Sequence, residues 1–164
     1  MAAGKMYLGQ LATCLALAFP LNAASAASIV KVELWDKGAE TPMATDMAFA
    51  KSGSDPSKAT MGMRLSRSSV PAGIVIFQVK NSSKDTVHEM IVMYLADPTK
   101  PLPYIDKDSK VDEDKAGDKG EVSELEPGKS GSLQVPLKAG KYLLICNVTG
   151  HFAAGMWTQF EVTK

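Results

Sequence analysis

The sequence is short of cysteine, of histidine and of net charge, and each shortage excludes a class of protein. Its 164 residues include 18 basic and 18 acidic side chains, without the basic excess that nucleic-acid binders usually show. Two cysteines cannot form a scaffold held by several disulfides. Because only two histidines are present, any site that needs imidazole must use one or both. At 45% hydrophobic and 22% charged residues, the composition is that of one ordinary globular domain.

No apolar stretch approaches the roughly 20 residues that span a bilayer, although a shorter one lies near the N-terminus. The run Leu8–Phe19 follows the single charge of Lys5 and precedes the small residues Ala24-Ser25-Ala26. This arrangement predicts a secretory signal peptide over residues 1–26. We therefore expect an exported protein, located in the periplasm or outside the cell, with no stable membrane insertion after the signal is removed.

Removal of the signal peptide leaves a single cysteine. Cys14 lies inside the apolar run and is lost with it, so the mature chain keeps only Cys146. Exported proteins usually pair their cysteines, and a lone thiol in an oxidising compartment is prone to oxidation. Cys146 therefore needs protection, and a metal ion is one candidate.

The mature chain, residues 27–164, is built from short segments that alternate with a period of two and are separated by turn residues. No long helical pattern is present. About seven such segments indicate one all-β domain, an antiparallel β-sandwich. The predicted strands cover residues 28–36, 60–66, 74–80, 86–95, 130–137, 141–148 and 156–163.

Residues 97–129 differ from the rest of the chain. They hold most of the acidic side chains, four prolines and few large apolar residues. We expect a long acidic surface excursion with at most a helical turn and no core of its own. Its charge is either simply solvated or steers a basic redox partner.

The residues that carry chemistry lie near the C-terminus, in the pattern Cys146-x4-His151-x4-Met156. A strand ends at the cysteine and another begins at the methionine, so the connecting loop can bring all three side chains to one point. Gly150 and Gly155 permit the tight turns that this requires. The second histidine, His88, lies on an upstream strand.

Two imidazoles, one thiolate and one thioether form a soft nitrogen and sulfur ligand set. A trigonal site of two histidines and one cysteine, with a weak axial methionine, is typical of electron-transfer copper. Zinc prefers tetrahedral sites without a thioether, and hard cations prefer oxygen ligands, which this cluster lacks. The sequence therefore predicts one copper ion per chain that cycles between Cu(I) and Cu(II).

The segment Cys146–Met156 resembles the cupredoxins, the small blue copper proteins, together with His88 and the stretches 125–128 and 140–142. The Cys-x4-His-x4-Met spacing is most similar to that of rusticyanin and the plantacyanins. The resemblance implies a Greek-key β-sandwich. It also implies a ligand set, namely the imidazoles of His88 and His151, the thiolate of Cys146 and the axial thioether of Met156.

This chain departs from the cupredoxin pattern at two positions. Many cupredoxins place Asn or Ser after the upstream histidine, where it tethers the two ligand loops, whereas Glu89 stands here. A carboxylate at this position is expected to weaken the tether or to add local negative charge. Many members also have Pro before the downstream histidine, where this chain has Gly150.

The ligand set predicts a protein that carries single electrons between redox partners and has no enzymatic activity. Partners are expected to dock transiently near His151, on an apolar surface formed by Phe152, Ala153 and Ala154. A Cys–His nucleophile would be the enzymatic alternative, but no third residue that orients the histidine is evident.

Two other functions fit the same residues. A copper carrier or resistance protein would bind Cu(I) and hand it over. Such a protein could use further thioethers as a second Cu(I) site, with Met43, Met47, Met61 and Met63 as candidates, although methionines also fill cores. The other function is that of a partner domain for a larger oxidase.

Overall fold

A computed structural model describes residue 1 and residues 26–164, so nearly all of the predicted signal peptide, with Cys14, lies outside the described residues. The chain forms two facing β-sheets and one short accessory strand pair. The strands are β1 (Ser28–Asp36), β2 (Met61–Leu65), β3 (Ser69–Pro71), β4 (Gly73–Asn81), β5 (His88–Leu95), β6 (Tyr104–Ile105), β7 (Lys110–Val111), β8 (Asp118–Leu125), β9 (Ser130–Leu137), β10 (Gly140–Ile145) and β11 (Trp157–Thr163).

The first sheet has the order β2-β1-β4-β9, and the second has the order β3-β11-β10-β5-β8. Most neighbours are antiparallel, but β1 runs parallel to β4 and β3 runs parallel to β11. These parallel pairs are possible because a long connection separates the two strands of each pair. The predicted all-β sandwich is confirmed, and all seven predicted strands are present.

Alternation along the strands fills the space between the sheets. In β1, Val30, Val32 and Leu34 are at most 2% exposed, while the residues between them face outward. Phe77 of β4 meets Phe160 of β11 edge to face, with ring centroids 5.4 Å apart. Full burial of one such side chain contributes about 1.5–3 kcal/mol, so this core is a main source of stability.

The second sheet is also covered on its outer face. Ile91 of β5 and Leu143 of β10 are fully buried there, in a second apolar cluster. Residues from the acidic segment supply part of the cover, namely Leu102, Val111 and Ala116. The expectation that 97–129 is a surface excursion is therefore wrong in part. The segment can form this cover with few apolar side chains because the sheet face on which they pack is already apolar.

The end of the acidic segment is a strand of the second sheet. β8 pairs antiparallel with β5 along an irregular register, and Val122 on β8 is buried between the sheets. The alternation signal in the sequence is weak because β8 lies at the sheet edge and most of its side chains face solvent. The same segment contains a 3-10 turn (Asp106–Asp108) and one α-helical turn, α1 (Glu113–Ala116), one turn more than expected. Among the described residues, no helix is long and apolar enough to cross a membrane.

The packing of β8 over β9 can be tested at Gly131, where a Cβ atom would lie 2.4 Å from Cγ1 of Val122. Gly131→Ala should destabilise the fold by roughly 1–3 kcal/mol, because the stiff valine and its strand must move. Urea unfolding of the copper-free protein measures the change. Ser132→Ala, on the exposed side of the same strand, is the matched control. Equal stability of the two variants would show that β8 does not cover β9.

Candidate metal centre

Three strand ends meet at one edge of the second sheet. Because β10 is antiparallel to both β5 and β11, its end lies beside the start of each neighbour. His88 is the first residue of β5, Cys146 follows the last residue of β10, and Met156 precedes β11. Strand β10 ends three residues earlier than predicted, which places Cys146 at the beginning of the loop rather than within the strand.

The structure brings together both histidines and the cysteine. Nδ1 of His88 and Nδ1 of His151 are 3.3 Å apart, and Sγ of Cys146 is also 3.3 Å from Nδ1 of His151. All three ligand atoms lie within 4.8 Å of one another. His88 and Cys146 have no exposed surface, and His151 is 6% exposed. The cluster is therefore compact, nearly dry and composed of soft donors.

The loop between Cys146 and Met156 is held by its own backbone. Cys146 N–H donates to the Met156 carbonyl, and Met156 N–H donates to the His151 carbonyl. The φ angles of Gly150 and Gly155 are 82° and 97°, so both glycines make the left-handed turns expected of them. A proline at position 150 could not adopt such a φ, which accounts for this departure from the cupredoxin pattern.

Met156 is fully buried and belongs to the same apolar cluster as Cys146. Its backbone pairs directly with that of Cys146, so its side chain starts from the edge of the sheet where the cluster lies. This placement suits an axial thioether. The assignment of all four side chains as copper ligands remains a prediction.

Glu89 ties the two ligand segments together. Its Oε1 accepts a 2.9 Å hydrogen bond from the backbone N–H of Asn147, and its own N–H points at Sγ of Cys146, 3.5 Å away. The carboxylate thus makes the link that Asn or Ser was expected to make, and the tether is present. Burial raises the pKa of Glu89, although the hydrogen bond from Asn147 opposes this shift.

The side chain of Asn147 was missed as a positioning group. Its Oδ1 accepts from Val111 N–H at 2.7 Å, and its Nδ2 donates to Oε1 of Glu113 at 2.6 Å. These bonds join the ligand loop to the acidic segment. No sequence pattern marks this contact, because the partners lie 34 and 36 residues away.

Asp36 was missed as well. This last residue of β1 places Oδ2 2.7 Å from Nε2 of His88, and the two side chains are 5% and 0% exposed. Burial acts to raise the pKa of Asp36, but hydrogen bonds from Ser83, His88 and the Gly38 backbone outweigh it and lower the pKa below its usual value. Asp36 is therefore ionised at neutral pH. Nothing in the sequence singles it out from the other carboxylates.

Burial dominates the titration of the cluster. It raises the pKa of the Cys146 thiol to about 12, although N–H groups of Glu89 and Val148 favour the thiolate. Burial, reinforced by the neighbouring His88, lowers the pKa of His151 to about 4. Burial also lowers the pKa of His88, with Asp36 opposing the shift. The metal-free cluster thus presents neutral imidazoles and a protonated thiol, which must lose its proton when a metal binds.

The donor set fits copper. When two imidazole nitrogens bind one ion, each lies about 2 Å from it. The separation of 3.3 Å between Nδ1 of His88 and Nδ1 of His151 is close to what such a pair requires. A thiolate beside them completes a soft set of two nitrogens and one sulfur that suits copper, and no carboxylate belongs to the group of converging ligand atoms.

The four additional methionines do not form one group. Met47, Met61 and Met63 are buried and line a cavity of about 260 Å³ together with Gly155 and Trp157. Met43 is 51% exposed and lies against Gly150. It does not line the cavity that the other three share.

The expected apolar docking surface is mostly absent at the residues named for it. Phe152 is 2% exposed and Ala154 has no exposed surface, so the prediction is wrong for these two. The loop turns both of them inward, and Phe152 packs in the cluster that covers the second sheet. Ala153 is half-buried, and the exposed apolar side chain beside the loop is Met43.

Comparisons with known proteins agree with this geometry. The sulfocyanin (SoxE) domain family matches residues 59–164, a range that contains all four predicted ligands. The curated sulfocyanin of Sulfolobus acidocaldarius is 28% identical over 91 residues, which are 54% of this chain and 46% of that protein. The chain thus spans about half the length of this relative.

Solved structures share the fold. Auracyanin from Roseiflexus castenholzii matches with a TM-score of 0.51 at 17% identity, covering 86% of this chain and 99% of that one. Rusticyanin from Thiobacillus ferrooxidans matches with a TM-score of 0.53 at 16% identity, covering 84% and 77%. At these identities the likeness concerns the β-sandwich alone.

The tether made by Glu89 can be tested through stability. Glu89→Ala leaves the buried N–H of Asn147 without its acceptor and should cost about 1–3 kcal/mol in unfolding free energy. Glu89→Gln keeps an acceptor oxygen and should cost clearly less. Chemical unfolding of the copper-free variants measures both. Equal losses for Ala and Gln would show that the hydrogen bond to Asn147 does not hold the loop.

The lowered pKa of His151 predicts an acid-sensitive metal-free protein. Histidine in the unfolded chain titrates near a pKa of 6.5, whereas folded His151 has a pKa of about 4, so the unfolded state binds more protons between these values. Stability should therefore fall as the pH is lowered from 6.5 towards 4. Urea midpoints against pH measure the slope, and His151→Gln should reduce it. This comparison isolates His151 from Glu89, whose raised pKa acts in the opposite direction. An unchanged slope in His151→Gln would contradict the assignment.

Proposed function

Because the chain belongs to the sulfocyanin (SoxE) domain family of cupredoxins and holds one copper per chain, we propose that it carries single electrons between redox partner proteins. The observation that carries the proposal is the convergence of His88, Cys146 and His151 in a buried cluster. When bound, copper supplies a one-electron couple between Cu(I) and Cu(II). Met156 is the proposed axial ligand.

The chain's contribution is a site that is held in place before the metal binds. Strand pairing positions His88, the backbone of the loop positions Cys146 and His151, and Glu89 joins the two segments. Ligands that are fixed in this way move little between the two copper states, so little reorganisation opposes electron transfer. Backbone N–H groups near Sγ of Cys146 stabilise its negative charge when it is a ligand.

His151 is the proposed point of electron exit. Both ring contacts within hydrogen-bond distance are made by its Nδ1. No buried side-chain nitrogen or oxygen among the described residues lacks a partner, so Nε2 reaches the surface. The partial exposure of His151 and the exposed side chain of Met43 beside Gly150 support transient docking of a redox partner at this edge.

The same geometry argues against a nucleophilic enzyme. An active Cys–His pair needs an accessible thiolate, whereas Cys146 has no exposed surface and its pKa is raised to about 12. We therefore propose a carrier without substrate chemistry. The predicted signal peptide over residues 1–26 supports export to the periplasm or the extracellular space.

A copper carrier remains the second candidate function, favoured by one observation. Met47, Met61 and Met63 line a single cavity that also borders Gly155 of the ligand loop, and thioethers select Cu(I). Redox cycling separates the two functions. An electron shuttle keeps its metal in both oxidation states, whereas a carrier releases it in one.

Addition of Cu(II) to the copper-free protein should give an intense blue band from the Cys146 thiolate, and Cys146→Ser should abolish it while the sandwich still folds. Absorption and EPR spectra, with circular dichroism for the fold, measure the result. Persistence of the blue band in Cys146→Ser would contradict the ligand assignment.

Met156→Gln is the matched variant for this experiment. It should keep both copper and colour but lower the reduction potential, because an oxygen donor favours Cu(II) more than a thioether does. Loss of the metal would mean that Met156 has a different role, and an unchanged potential would mean that it is not an axial ligand.

A further inference from the structure

The metal centre is asymmetric in the way its two imidazoles are supported. The far nitrogen of His151 reaches the surface, whereas Nε2 of His88 lies 2.7 Å from Oδ2 of Asp36. Both members of the His88–Asp36 pair are buried, with side-chain exposures of 0% and 5%. This hydrogen bond lies on the side of His88 that faces away from Cys146 and His151.

The carboxylate determines which nitrogen of His88 carries the proton. An ionised carboxylate only accepts hydrogen bonds, so Nε2 must donate and therefore carries the hydrogen. Nδ1 is then left with its lone pair directed at His151 and Cys146. His88 can bind copper through Nδ1 only in this tautomer.

Asp36 is itself held firmly. Its Oδ1 accepts a 2.6 Å hydrogen bond from Gly38 N–H, and its backbone is paired with Met61 of β2. The position of the carboxylate is thus set by the first sheet, whereas His88 belongs to the second. The contact therefore joins the two sheets, and a residue of the first sheet holds the imidazole ring of His88 in the second.

We propose that Asp36 is a positioning residue of the copper centre that fixes the tautomer and orientation of His88 and lowers the reduction potential of the bound copper. The negative charge acts through the imidazole and favours Cu(II) over Cu(I). The inference rests on the proposed role of His88 as a copper ligand. It assigns a function to a carboxylate that lies outside the cluster of ligand atoms.

Asp85 provides a matched control. Its charge also acts on His88, but its Oδ1 accepts hydrogen bonds from Ser83, Thr86 and the backbone N–H of Ala39. Asp85→Asn therefore removes one negative charge from the same region and leaves the side chains of Asp36 and His88 unchanged. Solvent screening should keep its effect on the potential small.

The test measures reduction potential, EPR spectrum and Cu(II) affinity of copper-loaded Asp36→Asn, Asp36→Ala and Asp85→Asn. Asp36→Asn keeps an acceptor oxygen but loses the charge. It should weaken the preference for Cu(II) over Cu(I) at least about tenfold, which is a rise of about 59 mV for one electron. Asp36→Ala should raise the potential as well and should also change the EPR hyperfine pattern, because the imidazole loses its support.

The proposal is overturned if both Asp36 variants keep the wild-type potential and EPR spectrum, or if Asp85→Asn raises the potential as much as Asp36→Asn does. Asp36→Asn is nearly isosteric, so it keeps the test available should Asp36→Ala fail to fold. Failure of the proposed function has a different signature, since the wild-type protein itself would then lack a blue band or lose its copper on redox cycling.

Discussion

The antiparallel pairing of β10 with β5 and β11 is the constraint on which the metal centre depends. It places the start of β5 and the start of β11 beside the end of β10, so His88 and Met156 lie next to Cys146 without any dedicated binding domain. A shift of one residue in the register of β5 would turn His88 to the other face of its sheet. Close packing on both faces of β5 and the hydrogen bond of His88 to Asp36 oppose such a shift, because the shift would misplace buried side chains of different size and break this contact.

A layer of polar contacts behind the ligands supports the centre. Asp36 holds His88 from the first sheet, Glu89 links the strand of His88 to the loop of Cys146, and Asn147 connects that loop to the acidic segment. The contact of Glu89 is buried and the other two are partly buried, which makes all three costly to leave unsatisfied. The acidic segment therefore has a structural role at the centre, because Glu113 and Val111 bind the loop directly.

How much of this could be predicted depends on the distance in sequence between interacting residues. The loop from Cys146 to Met156 is local, and its spacing and glycines were sufficient to predict a convergent site. The strands were predictable because period-two alternation is a local pattern. Asp36 was missed because its partner lies 52 residues away, and Asn147 because its partners lie 34 and 36 residues away. Leu102 and Val111 were missed as core residues because the acidic segment has few apolar side chains, and these few pack on a sheet face that is already apolar.

X-ray absorption at the copper edge, recorded on the oxidised and reduced protein, tests the central claim most directly. We expect one short copper–sulfur distance and two copper–nitrogen distances that change little between the two oxidation states, because the chain holds the three donors before the metal binds. Absence of a short sulfur contact, or a large change in the coordination shell on reduction, would contradict a preorganised site built from His88, Cys146 and His151.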